Sequence, residues 1–216
     1  MNKALETKSL EFKYPNGSAF HFPNFQLNEN NEVLILGNSG VGKTTLLHIL
    51  GGLLKPSAGE VWINNENVYS KSGGKLDQFR GENIGIVFQT AHFVQPLSVI
   101  ENLNLTLKFS KIKFDSNRAL ELLTRLGLQD KKWKKPSELS IGEQQRVSIA
   151  RALMLNPKLI LADEPTSALD DKNAEIVLDL LREEAKRSQS ALVIVTHDSR
   201  LKSKIQNTIM LEEGMI

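Results

Sequence analysis

The chain contains no cysteine, which excludes disulfides and thiolate metal sites. It has no apolar run near the roughly 18 residues that cross a bilayer, and Met1-Asn2-Lys3-Ala4 lacks the apolar core of a signal peptide. Excess charge of one sign is missing as well. Lys and Arg number 27 against 25 Asp and Glu, a net +2, so charge alone leaves no footprint for nucleic acid. Internal repeats and low-complexity segments are also absent from the sequence. What is there is a chain of 216 residues, 40% hydrophobic and 24% charged, expected to form one soluble, cytoplasmic unit of one or two lobes. Any role at a membrane then requires a partner.

The stretch that organises the rest is Gly37-Asn38-Ser39-Gly40-Val41-Gly42-Lys43-Thr44. An apolar run, Val33-Leu34-Ile35-Leu36, precedes it, and Thr45-Leu46-Leu47-His48-Ile49-Leu50 follows. That is strand, glycine-rich loop and helix in the G-x-x-x-x-G-K-[ST] pattern of a phosphate loop. Such a loop turns its N–H groups inward as a nest for phosphate oxygens. The helix N-terminus behind it adds unpaired donors and partial positive charge. Lys43 is then placed for the β and γ phosphates and Thr44 for Mg²⁺. The competing reading is an ordinary glycine turn, and the flanking strand and helix weigh against it. The stretch from Gly37 to Thr45 reads as a nucleotide site.

Ahead of this loop, Leu10-Glu11-Phe12-Lys13-Tyr14 and Phe20-His21-Phe22 alternate about the turn Pro15-Asn16-Gly17. The pattern predicts an antiparallel hairpin with Tyr14 at its bend. Glu60 to Asn64 reads as a further strand, while residues 66–82 are polar and show no usable period. Three more apolar runs resemble 33–36. Ile84 to Phe88 ends at Gln89, Leu159 to Ala162 ends at Asp163-Glu164, and Ala191 to Val195 ends at Thr196-His197. Near-continuous apolar strands suit a parallel sheet buried on both faces. Ligands of such sheets bind beyond the carboxyl ends of the strands. Packing does not explain why all four runs end in polar chemistry.

Between Gln89 and Asp163 the pattern turns helical. Asp115 or Ser116 caps a predicted helix carrying Ala119, Leu120, Leu122, Leu123 and Leu126, stopped by Gly127, whose leucines read as core packing. Ser140-Ile141-Gly142-Glu143 has the form of a capping box and opens a helix through Val147, Ala150 and Met154. A third helix, from about Ala174 to Gln189, is expected to bury Ile176, Val177, Leu180 and Leu181.

Asp163 and Glu164 stand at the end of a buried strand, where acids are costly without a task. Asp163 suits a hold on Mg²⁺ opposite Thr44, and Glu164 suits a general base for the attacking water. A pair capping the turn Pro165-Thr166-Ser167 is the blander reading. Gln89 offers an amide oxygen to Mg²⁺ or water. His197 is placed to hydrogen-bond either the γ-phosphate or Glu164.

Taken in order, these residues resemble the nucleotide-binding subunit of ATP-binding cassette (ABC) proteins over nearly the whole chain. The resemblance assigns Tyr14 to adenine stacking, Gln89 to the Q-loop, and Leu139-Ser140-Ile141-Gly142-Glu143-Gln144-Gln145-Arg146 to the signature helix. It further assigns Asp163 and Glu164 to the Walker B acids, Ser167-Ala168-Leu169-Asp170 to the D-loop, and His197 to the switch histidine. It implies an α/β P-loop NTPase fold with a mainly parallel sheet, an N-terminal antiparallel β region and an inserted helical subdomain. The expected division is one ABC ATPase domain over 1–216, with 1–89 and 158–216 as nucleotide-binding core and 90–157 as helical insert. It also implies an ATP hydrolase with Mg²⁺, a homodimer with ATP at the interface, and a separate integral membrane permease subunit. Ser140 and Gly142 would meet the γ-phosphate held by the second copy. No nucleic acid is implied, and the subunit is expected at the inner face of the cell membrane through its partner.

Phe79 to Gln89 and Pro96 to Leu103 are similar to a branch serving lipoprotein release, macrolide efflux and cell division. The ending Leu211-Glu212-Glu213-Gly214-Met215-Ile216, with no appended domain, fits that branch. The segment after Gln89, with Phe93, Val94 and Leu97, would receive the membrane subunit's coupling helix or simply pack on nearby helices. The family pattern Leu-Ser-Gly-Gly-Gln is altered here to Leu-Ser-Ile-Gly-Glu. Ile141 would face either the dimer interface or its own core, and it bears on turnover. A soluble ABC ATPase acting on DNA or ribosomes is the alternative, but those usually carry two cassettes or a long coiled-coil insertion. A P-loop kinase or GTPase would need neither 139–146 nor His197. Intact Glu164 argues mildly against a binding subunit with little turnover.

Overall fold

A strand that is apolar along its whole length must be covered on both faces, and the covering layers decide this architecture. The computed structural model describes residues 3–15, 17, 19–109, 115–167, 169–197 and 199–212. Three strands come first: β1 (Lys3–Lys13), β2 (Ala19–His21) and β3 (Gln26–Asn28). Then β4 (Glu32–Gly37) leads through the phosphate loop into α1 (Lys43–Leu50). β5 (Ala58–Ile63), β6 (Glu66–Asn67), α2 (Gly74–Asn83) and β7 (Ile84–Val87) follow. The helices α3 (Val99–Phe109), α4 (Ser116–Arg125) and α5 (Ile141–Leu153) separate β7 from β8 (Leu159–Asp163). The chain then passes through α6 (Asp171–Arg187), β9 (Ala191–Val195) and β10 (Thr208–Leu211).

Two sheets result. The antiparallel one runs β2-β1-β5-β6, with β3 also on β1, and contains the predicted hairpin in the register Glu11↔His21 and Lys13↔Ala19. The parallel one runs β10-β4-β9-β8-β7. Successive side chains of a strand point to opposite faces, and the two cores divide accordingly. Leu34, Ile160, Ala162, Leu192 and Ile194 pack with the buried residues of α3 to α6. Val33, Ile35, Leu159, Leu161, Val193 and Val195 pack with α1 and the antiparallel sheet. Three of the four apolar runs, β4, β8 and β9, are therefore central strands with both faces dry, while the fourth, β7, is an edge of the sheet with Ile84 and Ile86 half-buried.

Three features depart from the sequence reading. Residues 66–82 hold β6 and most of α2, a helix of which only Phe79 is buried, so it has no apolar stripe to read. The fifth strand, β10, pairs with β4 alone and is half exposed, as an edge strand can be. Ile176 is 40% exposed, and the buried stripe of α6 instead includes Ala174, Val177, Leu178, Leu181 and Ala185. Of the expected motif residues, Ala168 and residues 213–216 lie outside the described ones.

Ions tie the inserted helix α4 to α6. Glu184 of α6 is fully buried and pairs with Arg118 and Arg125 of α4. Arg187 adds a contact to Glu184 at 3.4 Å and pairs with Glu121. As expected, Asp115 caps α4 by accepting from the N–H groups of Asn117 and Arg118, and Gly127 follows it at φ +66°.

Candidate functional site

The phosphate loop leaves β4 and enters α1 through Gly42, which has φ +91°. A Cβ there would also lie 2.7 Å from the ring of Phe20, so only glycine fits both backbone and neighbour. No side chain caps α1, which leaves its first N–H groups to the loop's concave side. Lys43 Nζ donates to the carbonyls of Gly37 and Asn38, each at 2.8 Å. An ammonium has three donors, and two of them hold the lysine in place. The third is available to an anion in the nest.

Across from the loop, Thr44 Oγ1 donates to Asp163 Oδ2 at 2.9 Å. Asp163 is 3% exposed, and burial pushes its carboxyl above the ordinary range, opposed by the Thr44 bond. The charge of Glu164 pushes it further up, while His48 and Lys43 pull it down. A carboxyl raised on folding stabilises the protein below its unfolded value, and that contribution is lost as pH rises through the folded value. Once ionised, the buried carboxylate is thus a cost carried for function. Asp163→Asn should raise the melting temperature by a few degrees near pH 7 and weaken Mg²⁺-dependent nucleotide binding roughly 10–100-fold. Thermal melts paired with nucleotide titrations with and without Mg²⁺ check both signs.

Glu164 has φ +49°, a left-handed backbone unusual for this residue. Its N–H donates to Val195 O at 2.8 Å, so the end of β9 holds the turn. The residue is 7% exposed, and its carboxylate is engaged at both oxygens. Thr196 Oγ1 donates to Oε2 at 2.7 Å, the His197 N–H donates to Oε1 at 3.0 Å, and His197 Nδ1 stands 2.6 Å from Oε1. Of the two contacts expected for His197, the one with Glu164 is present. A carboxylate only accepts, so Nδ1 carries the proton of that contact.

These groups share one cleft of about 940 Å³. Every predicted site residue lines it except Val41, whose side chain is buried, and Ser140 and Gly142. Gln89 reaches the cleft from the end of β7 as an exposed side chain. Tyr14 is at its edge, T-shaped against Phe12 and Phe20, with its hydroxyl 2.9 Å from Thr45 Oγ1. Phe20, Lys202 and Met210 also line the cleft, and sequence reasoning missed all three. Phe20 had a signal in the alternation about the hairpin. Lys202 and Met210 had none, since both come from the chain after His197.

An ABC transporter family model matches residues 20–167, more than half of the chain. The chain belongs to the ABC transporter family. It is 43% identical over 195 residues to a putative hemin import ATP-binding protein, HrtA, of Staphylococcus aureus (strain MRSA252), covering 89% of this chain and 88% of the relative. Its fold matches a dimeric post-hydrolysis state of the ATP-binding cassette MJ0796 bound to ADP and Pi. That match has a TM-score of 0.88 and 37% identity and covers 97% of this chain and 95% of the other. It also matches cbiO1 of Clostridium perfringens, part of the ABC transporter complex cbiONQ, with a TM-score of 0.84, 29% identity and coverage of 99% and 86%. The α/β P-loop ABC fold, with its parallel sheet, N-terminal antiparallel sheet and helical subdomain, is that of its relatives. This chain is the ATP-binding and ATP-hydrolysing subunit of an ABC transporter.

In this ABC subunit the signature helix α5 begins with the predicted capping box. Ser140 Oγ accepts from the Glu143 N–H at 3.3 Å, and Glu143 Oε2 accepts from the Ser140 N–H at 2.8 Å. Glutamate in place of the family glutamine thereby closes the cap. Ile141, at the first helical position, is 74% exposed and does not pack into its own core. Ile141→Gly should therefore cost no more than about 1 kcal/mol of helix propensity, not the roughly 2–5 kcal/mol of a buried truncation. Turnover by dilute protein should rise. Melting temperature and turnover on one sample test both, and an unchanged rate would show that Ile141 does not limit closure.

Proposed function

We propose that two copies of this subunit close head to tail around two ATP molecules. Each ATP is held by the phosphate loop of one copy and by Ser140 and Gly142 of the other. The observation that carries this is the location of the signature. Its Ser140 is an exposed N-cap outside the cleft where the remaining site residues converge. A helix N-terminus of this kind suits an anion brought by another molecule. Structures of a cassette 37% identical to this chain are dimeric, which supports a pair of copies.

Tyr14 takes the adenine, residues 37–45 take the phosphates, and Lys43 spans the β and γ groups. Thr44 and Asp163 fit Mg²⁺. They are hard oxygen donors on one cleft wall, and the described residues hold no cluster of three His, Asp or Glu side chains, so they suit a cation that keeps phosphate and water ligands. When bound, Mg²⁺ neutralises charge on the phosphate oxygens. Gln89 holds Mg²⁺ or water from the end of β7. Glu164, aimed by Thr196 and His197, takes a proton from the water that attacks the γ-phosphorus. Closure on ATP and release after hydrolysis drive an integral membrane permease subunit, which holds this one at the inner face of the cell membrane. The division into a core of 1–89 and 158–216 with an insert of 90–157 supplies the moving parts.

Phe93 packs on the core with Arg151 5.1 Å from its ring, whereas Val94 is 48% exposed and offers the apolar contact for the permease. The similarity to the lipoprotein-release, macrolide-efflux and cell-division branch supports a partner among permeases that transmit motion. The hemin-named relative makes a porphyrin the first cargo to test in the assembled transporter.

Complementation tests the sandwich. Lys43→Ala and Ser140→Ala should each be inactive alone. Mixed, they form heterodimers with one intact phosphate loop facing one intact signature, and part of the activity returns. No recovery on mixing would overturn the head-to-tail arrangement.

A further inference from the structure

The connection from α4 to α5 carries a patch that the nucleotide site does not use. Lys131-Lys132-Trp133-Lys134-Lys135 places one tryptophan among four lysines. Trp133 is 71% exposed, although large aromatic side chains are ordinarily well buried. Among the described residues its indole N–H has no hydrogen-bond partner, whereas that of Trp62, the other tryptophan, donates to Glu60 at 2.8 Å. Lys132 Nζ lies 5.8 Å from the Trp133 ring centroid. Lys134 pairs with Glu138 at 2.8 Å and Lys131 with Glu143 at 3.4 Å. Lys132 and Lys135 make no ion pair among the described residues, and although Glu138 also feels the charge of Lys135, positive charge is left in excess beside the ring.

The patch is also held firmly. The N–H groups of Val99 and Ile100 donate to the carbonyls of Lys134 and Lys132, each at 2.9 Å. An exposed ring and its lysines are thus anchored to the first turn of one helix.

We propose that this patch docks on the anionic phospholipid headgroups of a membrane surface. An indole has an apolar body and a polar N–H, which suits the depth where headgroups meet acyl chains. The cations are all lysines, compact point charges on flexible stems, and none is an arginine with the planar fork that matches a single carboxylate or phosphate. That composition fits a diffuse negative surface better than one acidic side chain on a protein. Single-stranded nucleic acid also takes aromatic rings among cations, but it follows an extended basic groove with successive rings. Here there is one ring and a chain of net charge +2.

The test uses Trp62→Phe, which leaves Trp133 as the only tryptophan. Its emission should shift to the blue on titration with vesicles of phosphatidylglycerol and phosphatidylcholine, and not with phosphatidylcholine alone. The shift should fade as salt rises past physiological strength. Lys132→Glu with Lys135→Glu should weaken partitioning at least roughly tenfold, with an unchanged melting temperature. Should Trp62→Phe fold poorly, co-sedimentation of the unaltered chain against Trp133→Ser gives the same comparison. No partitioning at low salt, or equal partitioning after charge reversal, overturns the proposal. So does a shift with a single-stranded oligonucleotide or an acidic peptide in the absence of any shift with vesicles.

Discussion

Glu164→Gln is expected to bind ATP, accumulate as a dimer that stays closed, and lose turnover by roughly 10²–10⁴-fold, the usual contribution of a positioned general base. Glutamine keeps the length of the side chain and one acceptor oxygen. That oxygen can still take the His197 N–H, and the new amide can turn to the Thr196 hydroxyl, so both orienting contacts have a partner. What disappears is the ability to accept the water's proton. Binding then goes to completion without the step that reopens the dimer. Size-exclusion chromatography with and without ATP, together with a turnover assay, separates the parts. A variant that remains monomeric in ATP, or one that hydrolyses at the normal rate, would remove Glu164 from this role. Lys43→Ala should fail earlier, at nucleotide binding, because it takes away the cation anchored to Gly37 and Asn38.

Glu184→Ala should destabilise the subunit by about 3–5 kcal/mol, the cost of breaking a buried ion pair from one side. Glu184 is fully buried, and the side chain of Arg118 is only 10% exposed. Arg118 already has a buried Nε without a hydrogen-bond partner. Removing the carboxylate leaves a cavity between Arg118, which keeps Glu121 at 3.2 Å, and Arg125, which keeps Glu183. Glu184→Gln should cost clearly less, since an amide oxygen still accepts one of the arginines. Urea denaturation of the three proteins gives the order, and equal midpoints would mean that water already screens the cluster. The effect belongs to the joint between α4 and α6, far in sequence from the phosphate loop.

Much of the site was legible because its chemistry is local. A strand, five loop residues and a helix suffice to make the phosphate nest, so Gly37 to Thr45 could be read without the rest of the chain. The Ser140–Glu143 capping box is likewise a contact three residues apart, and it formed as written. The three central strands, β4, β8 and β9, were readable because burial on both faces demands unbroken apolar runs, and β7 at the edge carries a run of the same kind. Where burial is partial that demand lapses, and β10 and α2 passed unseen.

Tertiary structure decided what depends on residues far apart. The bond from Thr44 to Asp163 spans 119 positions and that from Thr196 to Glu164 spans 32, and no periodicity records either. The contact of Glu164 with His197 was open in the sequence and comes from adjacent parallel strands ending side by side. The direction of Ile141 was open too. An isoleucine beside a capping box satisfies either a core or a surface, and only the position of α5 against its neighbours leaves it facing outward. Sequence by itself determined the parallel core, the phosphate nest and the residue types at the strand ends, because backbone conformation and burial act over a few residues. Only folding decided which of those groups touch, since sheet order brings distant strand ends to one edge.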